Sequence, residues 1–174
     1  VSAADRRSKF VLYHPQHLLL TSLVHDHVNV FPTFADYEAP FREVLRLTPA
    51  SGLAMLRDHP ATRAVAAETA ARVVWYGAEP GEGWRCEGVT FGEATTFTLT
   101  GPGGRRVPLA TSLLGEHNVE NIVGVSGFLL ELGLVDEGAL ARAIADFGGI
   151  RRRLDRLTGP SAVPLIEGFG SSYE

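Results

Sequence analysis

The sequence holds one cysteine, Cys86, one methionine, Met55, and, among sixteen basic residues, one lysine, Lys9. A single cysteine excludes an internal disulfide and a cysteine-rich zinc site, so a reducing, cytoplasmic setting fits best. Long hydrophobic runs are missing as well. The greasiest stretch, Leu18-Leu19-Leu20, is strand-sized and far short of the roughly 20 residues a membrane-spanning helix needs, so no membrane contact is expected. Positive charge is not in excess: 16 basic against 20 acidic residues leave a net charge of -4. That balance argues against a nucleic-acid partner. Neither a G-x-x-x-x-G-K-[ST] loop nor a helix-opening G-x-G-x-x-G occurs, and Ser171-Ser172 sits in no nucleophile elbow. Low-complexity tracts, heptads and internal repeats are absent too.

What is present is an ordinary globular composition, 174 residues of which 45% are apolar, enough for one domain with a continuous core. His17 to Leu23 reads as a buried strand followed by the polar loop His25-Asp26-His27-Val28-Asn29. Thr33 and Asp36 form a capping-box pattern. Phe34, Tyr37, Phe41, Val44 and Leu45 then recur at helical spacing to about Leu47. Gly52 to Leu56 reads as a strand, Asp58-His59-Pro60 as the start of an alanine-rich helix to about Ala71, and Arg72 to Tyr76 as another strand. Alternating strands and helices predict an α/β sheet with helical crossovers.

The period then changes. Segments around Arg85–Phe91, Thr95–Thr100 and Arg105–Ala110 alternate or carry β-branched residues, with Gly101-Pro102-Gly103-Gly104 as a turn. They predict a small antiparallel meander on the α/β core. From Asn118 a helix is expected with Val119, Ile122, Val123, Leu129 and Leu130 on one face, and Gly124, Ser126 and Gly127 allowing close approach. Asp136 caps a further helix that places Leu140, Ile144 and Phe147 on one face and ends at Gly148-Gly149. Ala162 to Ile166 reads as the first strand of something else. A chain that begins at Val1 and stops beside a new element reads as a portion of a longer polypeptide.

Three segments can carry chemistry. Imidazole and carboxylate in His25-Asp26-His27 can hold a hydrated divalent cation, or can simply hydrogen-bond within a polar loop. In Gly115-Glu116-His117-Asn118-Val119-Glu120-Asn121 the two asparagines share a helical face, where carboxamides donate and accept together and so suit a purine edge. The bland alternative has Asn118 capping the helix and Asn121 in solvent. In Arg151-Arg152-Arg153-Leu154-Asp155 one or two guanidinium forks can reach a phosphate, or the run is a solvated charge cluster.

Taken in this order, the three segments resemble the Mur ligases, the ATP-dependent amide-forming enzymes of peptidoglycan assembly. Leu20-Thr21-Ser22-Leu23-Val24-His25-Asp26-His27 resembles that family's T-N-I-x-x-D-H segment. Gly115 to Asn121 matches its G-x-H-N-x-x-N segment, and Phe147 to Asp155 resembles F-x-G-x-x-R-R-x-[ED]. Arg7-Ser8-Lys9-Phe10-Val11 and His14-Pro15 look most like the murein-recycling branch, the UDP-N-acetylmuramate:L-alanyl-γ-D-glutamyl-meso-diaminopimelate ligases. The resemblance implies a central ATP-binding domain over residues 1–157, a P-loop-NTPase-like sheet flanked by helices with a small antiparallel meander. Residues 158–174 would begin the C-terminal domain.

By the same resemblance, His27 binds the magnesium near the γ-phosphate, with Asp26 orienting it. His117, Asn118 and Asn121 line the adenine pocket, and Arg153 reaches the nucleotide phosphates. Glu167 stands in for a ribose-binding carboxylate. The implied reaction activates a carboxylate with ATP as an acyl phosphate, which an amine then attacks to form the amide. Partners would be UDP-N-acetylmuramate and an amino acid or the murein tripeptide.

The family's phosphate loop and its magnesium-sharing glutamate would lie upstream, so this stretch alone is not expected to turn over ATP. The helix after His27 carries Arg42 where some branches have a carbamylated lysine, so that modification is not expected. Ile166-Glu167-Gly168-Phe169-Gly170-Ser171-Ser172 replaces D-D-[FY]-[AG]-H-H-P. That leaves L-alanine open as the amine instead of the tripeptide. A non-catalytic nucleotide-binding module is the reading from another class, in which Asn118 and Asn121 matter and His27 does not. A metal-dependent hydrolase lacks the ligand count.

Overall fold

The computed structural model describes residues 8–77 and 81–150, together with the backbone of 155–157 and 165–167. Its centre is a three-stranded parallel sheet in the order β1-β2-β3, formed by Leu18–Leu20, Leu53–Arg57 and Arg72–Tyr76. Helix α1 (Phe34–Leu47) crosses from β1 to β2, and α2 (Pro60–Val65) crosses from β2 to β3. The central strand β2 is buried on both faces, with Leu53, Ala54, Met55 and Leu56 at 2% exposure or less. A near-continuous apolar run is what a covered parallel strand requires.

Alternation along β2 sorts the core into two layers. Ala54 and Leu56 face Phe41, Leu45 and Val65 of the crossover helices. Met55 faces the opposite layer, with Tyr76, Trp84, Phe97, Leu99 and Val123. That second layer belongs to the meander β4 (Arg85–Thr90), β5 (Thr95–Gly101) and β6 (Arg105–Thr111) and to α3 (Glu116–Glu131) and α4 (Glu137–Asp146). The meander is antiparallel throughout, with Phe97 opposite Leu109 and Leu99 opposite Val107. Each fully buried large apolar side chain contributes about 1.5–3 kcal/mol.

Trp84 locks the two halves together. Its backbone bridges Tyr76 of β3, and its ring is fully buried between the meander and α3. A Cβ on Gly127 would stand 2.6 Å from the Trp84 ring, and one on Gly101 would stand 2.5 Å from it. Only glycine fits at either place, which bears out the close approach expected of Gly127.

Most predicted elements are present. The capping box at Thr33 and Asp36 is formed in both directions, Asp136 caps α4, and β3 has its expected bounds. There are four differences. The strand expected over His17–Leu23 pairs only at Leu18–Leu20, opposite Ala54 to Leu56 of β2, and Leu23 stays buried beyond the ladder.

The alanine-rich helix stops early, passing through a 3-10 turn at Ala66–Glu68. There Arg42 and Arg46 of α1 grip Glu68 at 2.6 and 2.7 Å, and the chain turns toward β3. Phe147 leaves helical backbone at the end of α4 and is 47% exposed rather than buried with Leu140. The last difference concerns β7 (Asp155–Leu157), which was not anticipated. It pairs antiparallel with β8 (Leu165–Glu167), with Leu157, the last residue of β7, opposite Leu165.

Candidate nucleotide-binding edge

Helix α3 runs antiparallel to the sheet. Its last residue, Glu131, meets Arg72 at the start of β3, whereas Glu120 in its second turn meets Arg57 at the end of β2. The first turn of α3 therefore lies at the carboxyl edge of the sheet, as does the loop that follows β1. Parallel α/β sheets place ligands outside this edge.

The loop after β1 separates its two histidines. His25 Nε2 donates to the Phe31 carbonyl at 2.8 Å, and its ring lies against Phe34 and Tyr37, so His25 holds the loop closed. His27 has φ +54, a left-handed conformation that a non-glycine side chain adopts at a cost. Its carbonyl accepts from both Val30 and Phe31. The Asp26 carboxylate accepts the His27 backbone N–H at 2.6 Å and stands 4.0 Å from His27 Nε2. Thus Asp26 fixes the backbone of His27 more directly than its ring, and the imidazole projects outward at 62% exposure. Burial, then the Asp26 charge, pushes the neighbouring Tyr37 hydroxyl above its ordinary pKa.

The first turn of α3 follows Gly115, whose φ of +87 turns the chain into the helix without a side-chain cap. Asn118 is not the cap. It lies in the helix, and its Nδ2 donates back to the Leu114 carbonyl at 2.7 Å. The preceding loop is further tied by Thr95 Oγ1 donating to the Leu113 carbonyl at 2.9 Å. Asn118 is consequently half-buried with its amide engaged, while His117 and Asn121 are exposed.

Behind this turn lies a charged cluster that sequence reasoning missed. Arg57 Nη2 is 2.8 Å from Glu120, and Asp58 receives Arg63 at 2.6 Å and the buried Arg85 at 2.5 Å. The Arg63 hydrogen bond, aided by Arg85, holds the Asp58 carboxyl below the usual carboxylate range. Tyr76 is fully buried beside α3, and its hydroxyl has no hydrogen-bond partner among the described residues. Desolvation first, then repulsion by Glu120, raises its pKa strongly, and Arg57 opposes the rise. The available signal was position: Arg57, Asp58 and Tyr76 all stand at strand carboxyl ends.

Of the predicted site residues, His27, His117, Asn118 and Asn121 share the carboxyl edge. Arg153 lies outside the described residues, as does the side chain of Glu167, whose backbone belongs to β8. Among the described residues no three His, Cys, Asp or Glu side chains converge as a metal cluster.

A parallel sheet with helices on both faces, an attached meander and polar groups gathered at the carboxyl edge define an α/β domain with a candidate ligand edge. Residues 2–129 match the Mur ligase middle domain. A UDP-N-acetylmuramate–L-alanine ligase of Stenotrophomonas maltophilia is 35% identical across 98% of this chain and 37% of its own length. An enzyme of the same name from Xanthomonas oryzae is 35% identical across 90% of this chain and 34% of its length. The solved UDP-N-acetylmuramate:L-alanyl-γ-D-glutamyl-meso-diaminopimelate ligase of Neisseria meningitides superposes with a TM-score of 0.73 at 25% identity, covering 85% of this chain and 45% of that one. MurF from Acinetobacter baumannii shares the fold at a TM-score of 0.81 and 17% identity, covering 94% of this chain and 36% of its own. The chain belongs to the Mur ligase family. It spans about 37% of the length of the Stenotrophomonas relative.

Proposed function

We propose that this chain is the central nucleotide-handling part of an ATP-dependent ligase. The ligase joins an amine to the lactyl carboxylate of UDP-N-acetylmuramate in cytoplasmic peptidoglycan assembly. The observation that carries the reading is the meeting of two motif segments at one edge of the sheet. The outward imidazole of His27 and the exposed His117 and Asn121 lie where a nucleotide would span from phosphates to base.

In this reading Asn121 and His117 face the adenine, while Asn118, whose amide is spent on Leu114, shapes the pocket wall. Arg153 reaches the phosphates and Glu167 the ribose. Residues 1–157 form the central domain, and 158–174 open the next one. For magnesium, His27 with Asp26 beside it is a sparse donor set, which suits an ion that keeps most of its waters. The ion would offset repulsion between the two anions. The protein's own contribution is alignment of carboxylate, phosphate and amine.

The amine is the finer question. The 35% identity to proteins named L-alanine ligases favours L-alanine. The murein-recycling likeness of the Arg7–Val11 stretch and the Neisseria structure favour the tripeptide. Phosphate release by the complete protein decides between them, assayed with ATP, magnesium, UDP-N-acetylmuramate and either amine. Turnover with L-alanine alone makes it the alanine-adding enzyme, and turnover with tripeptide alone makes it the recycling one. Silence with both amines, despite nucleotide binding, overturns the ligase reading in favour of a non-catalytic module.

A further inference from the structure

We propose that the Arg57–Glu120 ion pair is a positioning device that sets adenine selectivity, an inference that rests on the nucleotide reading above. Glu120 lies inside the segment that carries His117, Asn118 and Asn121. At 3.6 residues per turn it points roughly 200° round from Asn118 and roughly 100° from Asn121. It can therefore fix the rotation of the first turns of α3 without occupying their outward face. Its partner, Arg57, ends β2, the rigid central strand, and the two side chains meet at 2.8 Å with 30% and 19% exposure.

Stability does not account for the pair. The far end of α3 is already fastened by Glu131, which takes Arg72 at 2.8 Å and the Trp84 indole N–H at 3.0 Å. The middle is seated by Gly124 against Tyr76 and Gly127 against Trp84. Replacing a buried ion pair by apolar side chains of similar volume is often neutral or stabilising, and in some proteins such a pair instead fixes a register or geometry. The Tyr76 hydroxyl, buried beside these same two charges, has no hydrogen-bond partner among the described residues. What remains for the pair to do is hold one helix rotation. The groups whose direction depends on that rotation are the ones that would read a base edge.

The test compares ATP with inosine triphosphate, which differs at the 6-position of the purine, by equilibrium binding to the complete protein. The double variant R57L/E120L replaces the charges with apolar groups. It should keep its melting temperature within a few degrees, while ATP affinity falls about tenfold and inosine triphosphate affinity hardly moves. Glu120→Gln, the milder change, should show the same loss of selectivity to a lesser degree and guards against misfolding of the double variant. If both variants keep the wild-type ratio of the two affinities, the positioning role is overturned and the nucleotide reading stands. If the wild-type protein binds both nucleotides equally, the selectivity proposal falls and the nucleotide reading stands; if it binds neither, the nucleotide reading itself falls.

Discussion

The two ends of α3 are built from the same parts and differ in how fully those parts are used. At the amino edge of the sheet, Glu131 is saturated. One oxygen takes Arg72 and the other the Trp84 indole, over a ring sealed between two glycines. At the carboxyl edge, Glu120 takes Arg57, while the Tyr76 hydroxyl nearby has no partner among the described residues and His117 and Asn121 are exposed. Saturation marks the end that holds the fold. Spare hydrogen-bonding capacity marks the end that the proposed function assigns to a ligand, because a group already satisfied inside the protein has little to offer outside it.

The largest expected effect lies at the amino edge. Trp84→Ala should cost about 3–5 kcal/mol in urea denaturation. The loss would separate the meander from α3, and a smaller cost would mean that the halves are joined elsewhere. Glu131→Ala should follow at about 1–3 kcal/mol, since it leaves a buried indole N–H without its acceptor. Neither residue faces the nucleotide edge, so any refolded fraction should keep its ATP affinity. A Glu131 variant that lost nucleotide selectivity at unchanged stability would break the contrast.

Tyr76→Phe tests the other end. Removing an unpaired buried hydroxyl should leave stability unchanged or raise it by up to about 1 kcal/mol. A clear loss would show that the hydroxyl has a partner in solution.

The smallest effect concerns pH. The Asp58 pKa is lowered in the folded state by Arg63 and Arg85. Its contribution is therefore fully present above the unfolded carboxylate range near pH 4 and is lost as acid protonates the folded group. Asp58→Asn should flatten the acid limb of a stability–pH profile and leave the neutral region parallel to wild type.

Local signals made much of this legible. The Thr33–Asp36 box opens α1, Asp136 opens α4, and the β-branched run Arg72–Tyr76 is a strand to the residue. Alternation announced the meander. What failed was whatever depended on residues distant in sequence. Glu68 ends its helix because two arginines from α1 reach it, and nothing in an alanine-rich segment foretells that. The β1 ladder is confined to Leu18–Leu20, opposite Ala54 to Leu56 of β2, an extent that the apolar run itself does not announce.

At the site, His27, His117, Asn118 and Asn121 were identifiable as a motif, yet their division of labour was not. Asn118 turns back to a carbonyl rather than capping, and His25 anchors while His27 projects. Arg57 is marked only by its place at the end of β2 and Glu120 only by its place inside the motif segment, and that the two meet follows from α3 lying across the end of β2.

The unequal settings of the two tryptophans give the molecule a built-in optical gauge. Trp84 is sealed from water, whereas Trp75 is half-buried under the Arg63 guanidinium, 4.5 Å above its ring. Trp84 should emit toward the blue and shift to the red once the meander lifts from α3. Trp75 should report separately on the helix between β2 and β3. With each tryptophan retained alone in a Phe background, fluorescence during unfolding would show whether the sheet's two faces come apart together or one after the other.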